Sequence, residues 1–133
     1  MSIVELGLGL TVAVQSSSIT TSLLVPLIGA GIVTLEGGFA VTLGANVGTT
    51  VTALLASLAG NGAAVTVALV HLLFNLTGIV IIYPLRPIRR IPINLARGLA
   101  RRTSENKIYA ALYMVGVFFA LPLVFVLVDR WIR

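Results

Sequence analysis

Seven residues able to donate or accept hydrogen bonds crowd one short stretch: Gln15, Ser16, Ser17, Ser18, Thr20, Thr21 and Ser22. Such groups suit two kinds of ligand. Hydroxyls and the free N–H groups at a helix start donate to an oxyanion. Side-chain and carbonyl oxygens hold a hard cation such as sodium. A second set lies in Gly44-Ala45-Asn46-Val47-Gly48-Thr49-Thr50, where Asn46 offers another amide oxygen. Thr42, Asn46, Thr49, Thr50 and Ser57 recur at helical spacing and share a face. A third set, His71, Asn75 and Gly78, also falls on one face. The serines and Gln15 have no carboxylate among them; Glu5 and Glu36 lie at the margins. A cation held there needs its charge balanced by something else, and a co-bound anion is the natural candidate.

Each set has a plainer reading. Glycine, alanine, serine and threonine also let membrane helices approach closely, so Gly44 and Gly48 fit simple packing. For Asn46 with Thr49 and Thr50 a site is favoured, because polar clusters inside a membrane usually have a function. His71 fits a helix-to-helix hydrogen bond, or else a proton relay or ligand. One histidine without any cysteine cannot supply the three protein ligands of a zinc site. An enzyme is not expected: the serines have no nearby base and no nucleophile-elbow spacing.

The elements that must carry these residues are apolar. Of 133 residues, 58% are hydrophobic and 10% charged, against about 25% charged in a soluble domain. An integral membrane protein follows, all-α in class, and the cell (plasma) membrane is its expected location. The net charge of +5 is concentrated, with seven of the nine basic residues between Arg86 and Lys107. That is a positive-inside loop rather than a nucleic-acid face. Glu5 stands where a signal peptide would be basic, so none is expected.

Ile3 to Val33 is too short for two crossings, which take about 40 residues. A single crossing would leave the hydroxyl cluster unpaired at mid-membrane. The spacing therefore predicts a re-entrant hairpin over 3–33 with its polar tip at Gln15–Ser18. Residues 39–58 read as a spanning helix, broken or kinked at Gly44–Thr50 by glycine and β-branched threonine. A span follows over 64–85, stopped by Pro84 and Pro87. A basic interfacial helix covers 89–102, with Ile91, Leu95 and Leu99 opposite Asn94, Arg97 and Arg101, suited to lie on an anionic leaflet. A last span covers 108–128 and ends in an Asp129-Arg130-Trp131 anchor. One membrane domain, 1–133, is expected. The basic bias puts Arg97 in the cytoplasm and Asn61 outside, with the hairpin opening to the cytoplasm and the C-terminus external.

Gln15-Ser16-Ser17-Ser18, then Gly44 to Thr50, then His71 with Phe74-Asn75 and Gly78 resemble the type II sodium/phosphate cotransporter family. Pro26-Leu27-Ile28-Gly29, Tyr83-Pro84 and Leu112-Tyr113 extend the likeness over nearly the whole chain. It is nearest to that family's second inverted repeat, its C-terminal half. The resemblance implies half of a sodium-coupled inorganic phosphate symporter, with sodium as coupling ion and no other cofactor. It implies phosphate contacts from Ser16, Ser17 and Ser18, and sodium contacts from Gln15, Ser16, Asn46, Thr49 and Thr50. His71 and Asn75 are left as structural or site residues. The family pairs two hairpins; one is present here. A first-repeat partner or a homo-oligomer is then expected. Two other readings stand beside it: a membrane scaffold or remnant that moves nothing, and a symporter half for another small oxyanion.

Overall fold

The computed structural model describes residues 2–133, and every element among them is helical. The chain divides into two compact units, one up to Ile93 and one over Asn94–Arg133.

The first unit opens with α1, Ile3–Val14. Ser2 caps it: its Oγ accepts from the Glu5 N–H at 3.2 Å, and its own N–H donates to Glu5 Oε2 at 2.7 Å. Reciprocal caps of this kind satisfy two helix-end donors at once. The helix ends at Gln15, whose φ of 56° and ψ of 26° are left-handed. Ser16 is extended and caps α2, Ser17–Gly29. One helix thus ends and the next begins at Gln15-Ser16. At 12 and 13 residues, α1 and α2 are about 18 and 20 Å long.

Thr34 caps α3, Leu35–Ser57, by accepting from the Gly37 N–H at 3.0 Å. Here one expectation fails. The break or kink foreseen at Gly44–Thr50 does not interrupt α3, which is helical through all 23 residues. Packing outweighs propensity. A Cβ on Gly44 would overlap the Val4 carbonyl, and one on Gly7 the Val41 carbonyl. A Cβ on Gly48 would come within 2.7 Å of Thr11 Cβ and 2.9 Å of the Leu8 carbonyl. Glycine there is the condition for α1 to lie directly on the α3 backbone. Roughly 1 kcal/mol of lost propensity per glycine is offset by contact along two helices.

The core is built mostly of small side chains, Ala40, Val41, Ala45 and Val47 of α3 and Ala68 of α4, with Leu24 of α2 as a larger one. Lipid tails are as apolar as leucine, so such helices associate through close fit rather than hydrophobic drive. α4, Gly62–Ile82, is capped by Asn61, whose Oδ1 accepts from the Ala64 N–H at 3.0 Å. α5 covers Arg86–Glu105, and the boundary between the units falls within it. Its start corrects the role expected of Pro87. This proline sits in the first turn, where its missing N–H costs nothing, so it begins α5 rather than stopping α4.

The second unit contains the end of α5, then α6, Lys107–Val115, a π turn at Gly116–Ala120, and α7, Leu121–Ile132. Together the last three form one apolar stretch of 26 residues with none of its most apolar window buried. The π turn, which the sequence reading did not foresee, has a local cause. Pro122 has no N–H to donate, and its ring crowds the carbonyl of Phe118 in a regular helix. The chain winds one residue wider, and the Leu121 N–H donates to the Gly116 carbonyl. Tyr113 and Phe118 then meet edge to face at 6.3 Å.

Among the described residues, three helices are long and apolar enough to cross a membrane: Leu35–Ser57, Gly62–Ile82 and Lys107–Ile132. They correspond to the three expected spans.

Candidate functional site

The Gln15-Ser16 elbow is shaped by its own hydrogen bonds. Ser16 Oγ accepts from the Ile19 N–H at 3.3 Å. The Ser16 carbonyl accepts from the Thr20 N–H at 3.2 Å and from Thr20 Oγ1 at 3.1 Å. Thr21 Oγ1 donates to the Ser17 carbonyl at 2.8 Å. These bonds commit Thr20, Thr21 and part of Ser16 to the backbone. Among the described residues, the Gln15 amide and the Ser17 and Ser18 hydroxyls have no intrachain partner. None of them is buried, and no buried side-chain polar atom among the described residues is left unpaired. The N–H groups of Ser17 and Ser18 lie in the first turn of α2, where a helix has no internal acceptor for them. Ser18 and Ser22 line a shallow open hollow with Ile19 and Leu23. Uncommitted hydroxyls beside a helix start can donate to an oxyanion, and the adjoining amide oxygen can meet a cation.

The second set is placed differently. Asn46 is exposed on α3, and its carbonyl accepts from Asn75 Nδ2 at 3.5 Å, joining α3 to α4. Thr49 is half-buried and donates to the Ala45 carbonyl at 3.1 Å; Thr50 is fully buried and donates to the Val47 carbonyl at 2.7 Å. Thr42 and Ser57 bond their own helix likewise. A threonine that donates to its helix still presents oxygen lone pairs, so Thr49 keeps acceptor capacity. Thr50 keeps it only toward its packed surroundings. No side-chain hydrogen bond joins Gln15–Ser18 to Asn46, Thr49 or Thr50 among the described residues. The link between the two sets is instead Gly48, which abuts Thr11, one turn before the elbow.

His71 is exposed and has no hydrogen bond among the described residues. It borders an open groove with Ser57, Ala53, Ala56, Ala64 and Ala68. Asn75, one turn further on, makes the interhelical contact that His71 was a candidate for. Two hydroxyls escaped the sequence reading as a pair. Thr11 Oγ1 donates to Thr20 Oγ1 at 3.0 Å, with Thr11 0% and Thr20 2% exposed. Their signal was available: they stand equally far on either side of Gln15-Ser16.

A helical membrane chain is thus defined, with two short arms meeting at a polar elbow beside longer spans. The family described as Na+/Pi-cotransporter matches residues 2–124. The chain belongs to that family. It is 46% identical over 121 residues to sodium-dependent phosphate transport protein 2B of Homo sapiens, covering 88% of this chain and 17% of that relative. It is 44% identical over 120 residues to sodium-dependent phosphate transport protein 2A of Rattus norvegicus, covering 87% of this chain and 19% of that relative. The chain therefore spans less than a fifth of the length of these relatives. No solved structure matches it significantly.

Proposed function

We propose that this chain forms one repeat of a sodium-coupled inorganic phosphate symporter and places the Gln15–Ser18 elbow at the transport site. The observation that carries the reading is the elbow itself. Two apolar arms of about 18 and 20 Å cannot each cross a hydrocarbon core of about 30 Å. They can enter it and return, bringing uncommitted polar groups to mid-depth. Ser16, Ser17 and Ser18 then contact phosphate through hydroxyl and N–H groups. Gln15, Ser16 and Asn46, with Thr49 and Thr50, supply oxygens toward sodium. Sodium, by analogy with other hard cations, takes about five or six oxygens. The facing element of a partner repeat, or a second copy, completes the shell.

The test is sodium-driven uptake of labelled phosphate. This chain replaces the matching segment of a full-length relative, reconstituted in liposomes. Ser17→Ala and Ser18→Ala should each raise half-saturating phosphate about 5- to 150-fold, the effect of leaving a buried partner unpaired. Unchanged kinetics in both, and in Ser16→Ala, would remove the elbow from the site. Competition by sulfate as strong as by phosphate would favour a different oxyanion. The chain reconstituted alone should accumulate no phosphate above empty liposomes. Accumulation that vanishes with the sodium gradient would instead show a functional homo-oligomer.

A further inference from the structure

We propose that Thr11 and Thr20 are positioning residues: a buried hydroxyl relay that ties α3 to the backbone of the elbow and sets its affinity for sodium. The inference rests on the elbow being the transport site. The relay runs in one direction. Thr11 Oγ1 donates to Thr20 Oγ1 at 3.0 Å, and Thr20 Oγ1 donates to the Ser16 carbonyl at 3.1 Å. Both side chains are excluded from the surroundings, at 0% and 2% exposure. The far end is held by α3, because the backbone of Gly48 presses on Thr11 where any Cβ would come within 2.7 Å of it.

Thr11 is unlike the threonines around it. Thr21, Thr42, Thr49, Thr50 and Thr52 turn their hydroxyls onto carbonyls of their own helix. Thr11 has the carbonyl of Gly7 one turn back, yet it donates across to the other arm. Bonds in a chain polarise one another. Proton donation from Thr11 makes the Thr20 hydroxyl a better donor to Ser16. The Ser16 carbonyl already receives the Thr20 N–H, so its direction is fixed by two donors from one residue. That carbonyl belongs to the unwound backbone of the elbow, next to Gln15. A displacement of α3 along α1 is thereby transmitted to the backbone at Ser16, which positions the adjoining, uncommitted Gln15 amide for the cation.

The experiment uses the full-length relative carrying this chain as its matching segment, in lipid nanodiscs, and follows amide hydrogen exchange of Ile19 and Thr20 of the inserted segment. It is run in choline chloride and across a sodium chloride titration, with phosphate present. Thr11→Val keeps the shape and removes the donor. It should speed basal exchange of both amides about tenfold, as for one lost buried hydrogen bond. It should also move the sodium midpoint for their protection upward by a similar factor. Thr11→Ser should restore both values to within about twofold, since it keeps the donor. Thr66→Val, on an exposed threonine of α4, should change neither. Gly48→Ala removes no polar group but pushes Thr11 aside, and should reproduce the Thr11→Val effect. Equal basal exchange and an equal midpoint in wild type and Thr11→Val would overturn the relay. If Thr11→Val does not fold, Thr11→Ser and Gly48→Ala decide: wild-type exchange in Gly48→Ala overturns it. A wild-type chain without any sodium response would sink the reading of the elbow as a cation site. A normal sodium response with no effect of Thr11→Val would sink the relay alone.

Discussion

The α1–α3 contact and the terminal stretch from Lys107 to Ile132 are both apolar, yet they are built on opposite principles. Along α1 and α3 the side chains shrink to glycine, alanine and threonine, and the two backbones touch. From Ile108 to Ile132 leucine, valine and aromatic side chains predominate, and none of the most apolar window is buried. The first arrangement holds polar groups in fixed geometry, because Thr11, Thr20 and Thr50 are enclosed and satisfied. The second offers a greasy cylinder to lipid or to another helix. A polar site inside a membrane needs the former, since an unsatisfied polar group there costs several kcal/mol.

The sharpest way to break this contrast is to ask which helices cross. A cysteine is easily placed, because the chain has none. Leu35→Cys and Asn61→Cys should label from opposite sides of the membrane, Asn61→Cys from outside. If both label from outside intact cells, α3 does not cross; a Ser2→Cys that labels from the side opposite to Leu35→Cys shows that the α1–α2 unit crosses rather than returns.

Glycine replacement gives the next largest effect. Gly44→Ala and Gly48→Ala force a Cβ into backbone atoms of α1, and each should destabilise the folded chain by about 1–3 kcal/mol or more, the usual cost of overpacking. Gly116→Ala meets nothing within 4 Å and should stay within about 0.5 kcal/mol. Denaturant titration in mixed micelles measures all three. Equal effects at Gly48 and Gly116 would mean that the glycines serve flexibility rather than contact.

The smallest effects belong to the ends. Thr34→Ala removes the cap of α3 and should cost about 1 kcal/mol. Asp129→Asn removes an exposed pair with Arg133, at 3.0 Å, and should change stability by only a few tenths of a kcal/mol.

Much of this was legible in the residues. The helix end at Gln15-Ser16 follows from a polar run midway along an apolar segment. The three spans follow from length and composition. The uninterrupted α3 did not, because glycine propensity is local whereas the surface of α1 that needs Gly44 and Gly48 lies some 40 residues earlier. Thr11 was passed over for a related reason. A lone hydroxyl in an apolar helix reads as filler until its partner across the turn is known. The expected basic helix, 89–102, is three residues short at each end of α5, and Pro87, expected as a stop, lies in its first turn. The π turn was missed because Pro122 sits inside a run whose hydropathy conceals it.

That π turn gives the last helix a phase offset. One additional residue is accommodated without lengthening the hydrogen-bonded ladder by a full step. Each residue of an α-helix turns the chain by about 100°. Everything beyond Ala120, Trp131 and the Asp129–Arg133 pair included, is therefore rotated by about that angle from the azimuth an unbroken helix would give it. The two halves of the span present different compass directions to their neighbours. A partner helix that fits the Tyr113 side of the cylinder will not find the same side of α7 beneath it.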